Sequence, residues 1–184
     1  ANAQSWEDMK GALKHFVAPQ QNFVSAHING EINFIAPGTI PIRRNSNGWL
    51  PSPGWTGDGD WIATIPFDEL PQKNNPDEGI IITANQKIIA DGYRHFITRD
   101  WSMPYRSRRI KDLLVDTSNH TIAGYKMIQT DVQSMMAREF LPLLLSVAPD
   151  EKTKEIHKHL SNWDGSMDKN LIEPLIFHTW YREL

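Results

Sequence analysis

No cysteine occurs among the 184 residues, which excludes disulfides, a thiol nucleophile and a cysteine-bound metal. No stretch approaches the roughly 18 consecutive apolar residues that a membrane-spanning helix needs. Neither sign of charge dominates: 19 Lys+Arg against 22 Asp+Glu leave a net −3, without the basic surplus of a nucleic-acid-binding chain. Internal repeats and low-complexity tracts are missing as well. No basic-then-apolar leader opens the sequence, so the chain is expected to be cytosolic, already processed or cut from something larger. What is left is an ordinary soluble composition, long enough to bury one sizeable core and therefore one domain by default. Against that background 7 Trp and 12 Pro stand out, and they concentrate in the middle third.

Taken in order, Ser5-Trp6-Glu7-Asp8 has capping-box spacing, with Asp where Glu or Gln is usual. Met9, Leu13, Phe16 and Val17 follow at helical intervals until Pro19 stops the run. Residues 22–28 and 31–36 read as strands around Asn29-Gly30, a strong hairpin signal. From Pro37 to Gly79 regular periodicity disappears, while Trp49, Trp55, Trp61 and Phe67 are interleaved with prolines and glycines. A disordered linker would not carry such large rings, so this segment is expected to be a long ordered loop packed over a sheet. After an irregular aromatic crossing from Tyr93 to Tyr105, helices are expected over 106–114, 121–134, 135–147 (with Pro142 as a kink), 150–160 and 171–184.

The stretch Asn75 to Gln86 is central to this layout. A Pro/Asp/Gly turn signal opens it, and Gly79 to Ala84 reads as a buried strand ending in Asn85 and Gln86. A carboxamide on a rigid element suits donation to a charge that develops during a reaction. The same residue is also an ordinary turn former, and local sequence leaves both readings open.

Several motifs then fall in order: Pro51-Ser52-Pro53-Gly54-Trp55-Thr56-Gly57, Asp60-Trp61, Ile65-Pro66-Phe67-Asp68-Glu69-Leu70-Pro71, Asn75-Pro76, Gly79 to Asn85, and Tyr105-Arg106-Ser107-Arg108-Arg109-Ile110. This run resembles the β chain of the penicillin acylase family of N-terminal nucleophile hydrolases. Asn22, the Asn29-Gly30 hairpin, Gly38 and Pro41-Ile42-Arg43 extend the likeness upstream; Gln129-Thr130-Asp131 and Leu160 to Gly165 extend it downstream. Together they cover nearly the whole chain.

The resemblance implies an amide hydrolase whose β-chain amino terminus is a serine nucleophile, with its own α-amine as base near operating pH. It implies that Asn85 is the oxyanion-stabilising side chain and Arg106 an arginine that orients the site or the substrate. Residue 1 is alanine, and no segment resembles the family's nucleophile-bearing start. The expectation is therefore an internal fragment, an α+β piece of the four-layer αββα fold. It would have a small antiparallel sheet (22–36 and 79–86) and a helical group from about 106. In domain terms, 1–184 reads as one partial domain, with sheet and long loop over 1–105 and the helical part over 106–184. Alone it should be inactive; its partners would be the remaining β- and α-chain segments and a small acyl-amide substrate. An exposed core face would favour self-association. No nucleic acid or membrane partner is expected, and family members are exported to the periplasm. His27 stands where the family usually has aspartate, and Gln86 where it often has a second asparagine.

Other readings are weighed beside this one. Arg106 lies in a run with Arg108 and Arg109 that fits a solvated helix face equally well. Asn22 either anchors a strand edge or contributes to the site. His157 and His159 point to different helix faces, so no metal site is assigned to them. The resemblance leaves room for a calcium ion in the full-length protein without requiring one, and no ligand is assigned here. Ser5, Ser25 and Ser46 read as cap, strand and turn residues. The Trp-rich loop supports an alternative of another class, a carbohydrate-binding module, which would present a line of exposed rings where an acylase fragment would bury them. A relative that has lost its nucleophile is the third reading.

Overall fold

Ser5 caps helix α1 (Trp6–Leu13) as its spacing predicts: its Oγ accepts from the Asp8 N–H at 3.1 Å. Asp8, shorter than the usual Glu, accepts from the N–H of Gln4, one residue before the cap. The helix ends at Leu13, before Phe16 and Val17, yet Phe16 still packs edge-on against Phe23 with ring centroids 5.3 Å apart. Trp6 and Leu13 bury against Ile35, with Met9, Phe23 and Phe67 around them. These elements belong to a computed structural model that describes residues 3–117 and 119–183. Its chain divides into two units, Ala1–Ser102 and Met103–Leu184, treated separately below.

The hairpin forms where expected. Strand β1 (Phe23–Ala26) pairs antiparallel with β2 (Ile32–Ile35) in the register Phe23↔Ile35 and Ser25↔Asn33. His27 donates its N–H to the Glu31 carbonyl at 2.8 Å, and Gly30 takes the positive φ of 90° that closes the three-residue loop. β2 is the middle strand and buries Asn33, Phe34 and Ile35.

The third strand of this sheet differs from expectation. It is Gln72–Asn74, numbered β5 in chain order, pairing with β2 through Asn33↔Asn74 and Ile35↔Gln72. Residues 79–86 do not join it. After the Pro76–Gly79 turn, in which the Gly79 N–H donates to the Pro76 carbonyl at 2.8 Å, Ile80, Ile81 and Ile82 run without ladder pairing among the described residues, half-buried. Ile81 and Ile82 line a cavity together with Phe34 and Lys73. An apolar run signals burial; whether its backbone finds a ladder partner is a separate matter that periodicity does not decide.

The segment expected to be one long loop also contains structure. β3 (Pro41–Arg43) and β4 (Trp61–Thr64) form a two-stranded antiparallel sheet with a bulge at Ile42/Arg43. Ile40, Ile65 and Leu70 form a small core beside them, supported by Ile42, Phe67 and Ile97. The rings are not buried beneath it: Trp49, Trp55 and Trp61 are 57%, 89% and 60% exposed. The connection between the strands satisfies itself through local turns, with Ser46 Oγ accepting from Gly48 and Asn47 Oδ1 from Trp49, so it needs no aromatic core. Arg99 lies 4.6 Å over Trp49 and Arg43 5.8 Å over Trp61.

The second unit is helical: α2 (Tyr105–Val115), α3 (Ile122–Gln129), α4 (Met135–Leu145), α5 (Lys154–Ser161) and α6 (Glu173–Arg182). α3 stops five residues short of Ser134, because Asp131 is engaged as a hydrogen-bond acceptor in the turn that follows. α4 continues through Pro142, which faces solvent. Ala137, Leu141, Leu144, Leu160, Trp163 and Phe177 make the core. The final helix ends at Arg182, and the expected last residue, Leu184, lies outside the described residues.

Candidate active site

Asn85 occupies a bend in place of a strand end. Its φ is 65°, and with Asn75 it is one of two non-glycine residues at positive φ among those described. Asn tolerates this left-handed region better than most residues, but holding it there still costs on the order of 1 kcal/mol or more and needs support from its surroundings. Gln86 supplies that support. Its Oε1 accepts from the Ala84 N–H at 2.7 Å and its Nε2 donates to the Ile82 carbonyl at 2.9 Å, bracketing the bend. The Asn85 side is exposed, whereas Ala84 is buried. Thr83 and Gln86, on either side of the bend in sequence, line the 230 Å³ cavity shared with Phe34 and Lys73. Gln86 looked like a second polar tip in the sequence; the structure makes it a brace.

The chain leaving Asn85 returns to it, since the Ser102 N–H donates to the Asn85 carbonyl at 3.0 Å. Between those ends the loop is pinned to the one-turn 3-10 helix Phe67–Glu69. Tyr93 Oη donates to the Glu69 carbonyl at 2.8 Å, and both Arg94 and His95 contact the Glu69 carboxylate. The hydrogen bond from His95, followed by that from Arg94, holds the Glu69 carboxyl below its usual range. Burial and the neighbouring Glu69 charge push the Tyr93 hydroxyl up. This clasp was not read from the sequence, because its members lie 24 to 26 residues apart with no motif spacing.

Arg106 lies in the other unit, exposed in the first turn of α2. No acidic residue occupies that turn, so three arginines within the first five helical positions oppose the helix dipole. Arg109 forms a bidentate pair with Asp131, 2.9 Å from Nε and 2.7 Å from Nη2. That pair lowers the Asp131 carboxyl and raises Arg109, chiefly through the hydrogen bonds themselves. It joins α2 to the turn before α4, and gives Asp131 of the Gln129-Thr130-Asp131 motif a structural role.

Asn22 sits half-buried just before β1. His157 contacts the Leu145 carbonyl and Ser161, while His159 contacts Glu173, so the two histidines serve different partners. No group of three or more His, Cys, Asp or Glu suited to a metal occurs among the described residues. Ser5 caps, Ser25 lies in β1 and Ser46 closes a turn. No helix among the described residues is long and apolar enough to cross a membrane.

The sequence profile of the family described as penicillin amidase matches residues 1–184. The chain belongs to the penicillin amidase family. It is 32% identical over 149 residues to a penicillin acylase 2 proenzyme of a Pseudomonas species, an alignment covering 80% of this chain and 19% of that protein. It is 26% identical to an acyl-homoserine lactone acylase, QuiP, of Pseudomonas fluorescens, across 100% of this chain and 24% of the relative. The amidase family chain thus spans about a quarter or less of these curated relatives. A solved structure of thermostable penicillin G acylase from Alcaligenes faecalis superposes with a TM-score of 0.73 at 21% identity, covering 98% of this chain and 34% of that one. The likeness shows a shared fold, and the small sheet with its helices is an α+β part of it. Exposed tryptophans are what a carbohydrate-binding module would present; the family match across the whole chain places them on an amidase-family surface.

Proposed function

We propose that this chain is part of a larger acylase that hydrolyses a linear amide, with an acylated β-lactam, an N-acyl homoserine lactone or a related acyl amide as substrate. Family membership and the activities for which its relatives are named support the reaction class. The single observation that carries the site is the positive-φ bend at Asn85, braced by Gln86 beside a cavity.

The nucleophile in this reading is an N-terminal serine that the described residues do not include. Its hydroxyl attacks the amide carbonyl carbon while the α-amine takes the proton. The carbonyl oxygen becomes an oxyanion, to which the Asn85 carboxamide donates a hydrogen bond that strengthens as charge develops. Collapse expels the amine, which takes up the proton, and water repeats the cycle on the acyl-enzyme. Arg106 orients the site or the substrate in the same reading. The rest of the acylase covers the faces left open here, β1 being an edge strand among the described residues. Location in the periplasm belongs to the same reading.

The full-length protein should release free acid from a phenylacetyl amide or from an N-acyl homoserine lactone, while the 184-residue chain alone should not. Steady hydrolysis by the chain alone that survives re-purification would contradict the proposal, as would a full-length protein inert to both substrates.

A further inference from the structure

The loop from Asn85 to Ser102 is closed at its base by the Ser102 N–H on the Asn85 carbonyl, so whatever fixes the loop also fixes the Asn85 backbone. One residue outside the loop collects three of its consecutive side chains. Glu69 accepts from Tyr93 Oη through its carbonyl, and receives Arg94 and His95 on its carboxylate. The His95 side chain is 13% exposed and the Glu69 side chain 35%, so the contact is sheltered without being sealed. Tyr93 and His95 also meet edge-on, with ring centroids 5.7 Å apart. The 3-10 helix that presents Glu69 is itself anchored, since Phe67 packs both against α1 and on the Ile40–Ile65–Leu70 core. A rigid base, a multiply bonded carboxylate and a loop returning to a strained residue make one mechanical chain.

We propose that Glu69 is a positioning residue for the amide hydrolysis, holding the 85–102 loop so that Asn85 keeps its left-handed backbone and its carboxamide direction. The inference rests on the oxyanion reading of Asn85. Glu69 touches no reacting atom; it acts through Tyr93, Arg94 and His95. A carboxamide displaced by a fraction of an ångström from a developing charge loses transition-state stabilisation while substrate binding is little affected.

The test is a double-mutant cycle in the full-length acylase, using Glu69→Gln, Glu69→Asp, Tyr93→Phe and Asn85→Gly. Glu69→Gln should lower kcat by about tenfold or more with KM nearly unchanged, Glu69→Asp should recover part of the loss, and Tyr93→Phe should give a smaller fall in kcat. In the Asn85→Gly background, Glu69→Gln and Tyr93→Phe should cost nothing further. If Asn85→Gly is strongly impaired and the Glu69→Gln loss simply multiplies with it, the positioning role is overturned while the oxyanion reading stands. If Asn85→Gly is itself near normal, the oxyanion reading falls and this inference with it. Tyr93→Phe keeps the test decisive should Glu69→Gln fail to fold.

Discussion

Asn85 shows how far a single residue can be read before coordinates. Its identity and its place after an apolar run were legible, and so was the choice between turn former and hydrogen-bond donor. The structure places Asn85 in a bend that needs Gln86 as a brace, a placement that suits a turn former and a carboxamide donor alike. Gly165 is the clearer case of conformational demand. It sits at a φ of 88°, and an added Cβ would lie 2.9 Å from Gln133 Nε2 and 3.1 Å from Arg138 Cγ. Gln133 cannot easily yield, because its Nε2 donates to the Asp164 carbonyl at 2.6 Å. Gly165→Ala should therefore destabilise the protein by about 1–3 kcal/mol, read as a lowered midpoint in chemical denaturation; an unchanged midpoint would contradict this account of the turn.

At the scale of elements, what depended on local chemistry was legible and what depended on distant pairing was not. The cap at Ser5, the Asn29-Gly30 hairpin and the helices after Tyr105 follow from short-range signals. The third strand did not: Gln72–Asn74 carries polar side chains and joins the sheet through backbone bonds to β2, while the more apolar Ile80–Ile82 stays out of it. β3 and β4 were hidden for a related reason, since β4 is exposed along its length and shows no alternation. The α1 cap gives a direct check. Ser5→Ala removes the acceptor for the Asp8 N–H and should cost about 1 kcal/mol, whereas Ser5→Asp should restore most of it. Equal stability of all three proteins in urea titration would mean that the cap contributes nothing.

Across the whole molecule, several carboxylates are held below their ordinary range by the contacts that tie the chain together. Hydrogen bonds from His95 act on Glu69, from Arg109 on Asp131, from Thr153 on Asp150 and from His159 on Glu173. Each has a folded pKa below its unfolded one, so its contribution is fully present above the unfolded values of 4.5 for Glu and 3.8 for Asp. That contribution is lost as pH falls through the lower folded values. The thermal midpoint should therefore drop on acidification below about pH 4.5, and a midpoint that rises over the same range would contradict the assignment.

The proposed activity turns on whether one carboxamide at a braced bend meets the developing oxyanion. Asn85→Gly in the full-length acylase addresses this most directly, because glycine accepts the positive φ and removes only the side chain. The account predicts that kcat for acyl-amide hydrolysis falls by roughly 100- to 1000-fold with the thermal midpoint preserved. A turnover within about threefold of the unmutated enzyme, in a protein equally well folded, would contradict it.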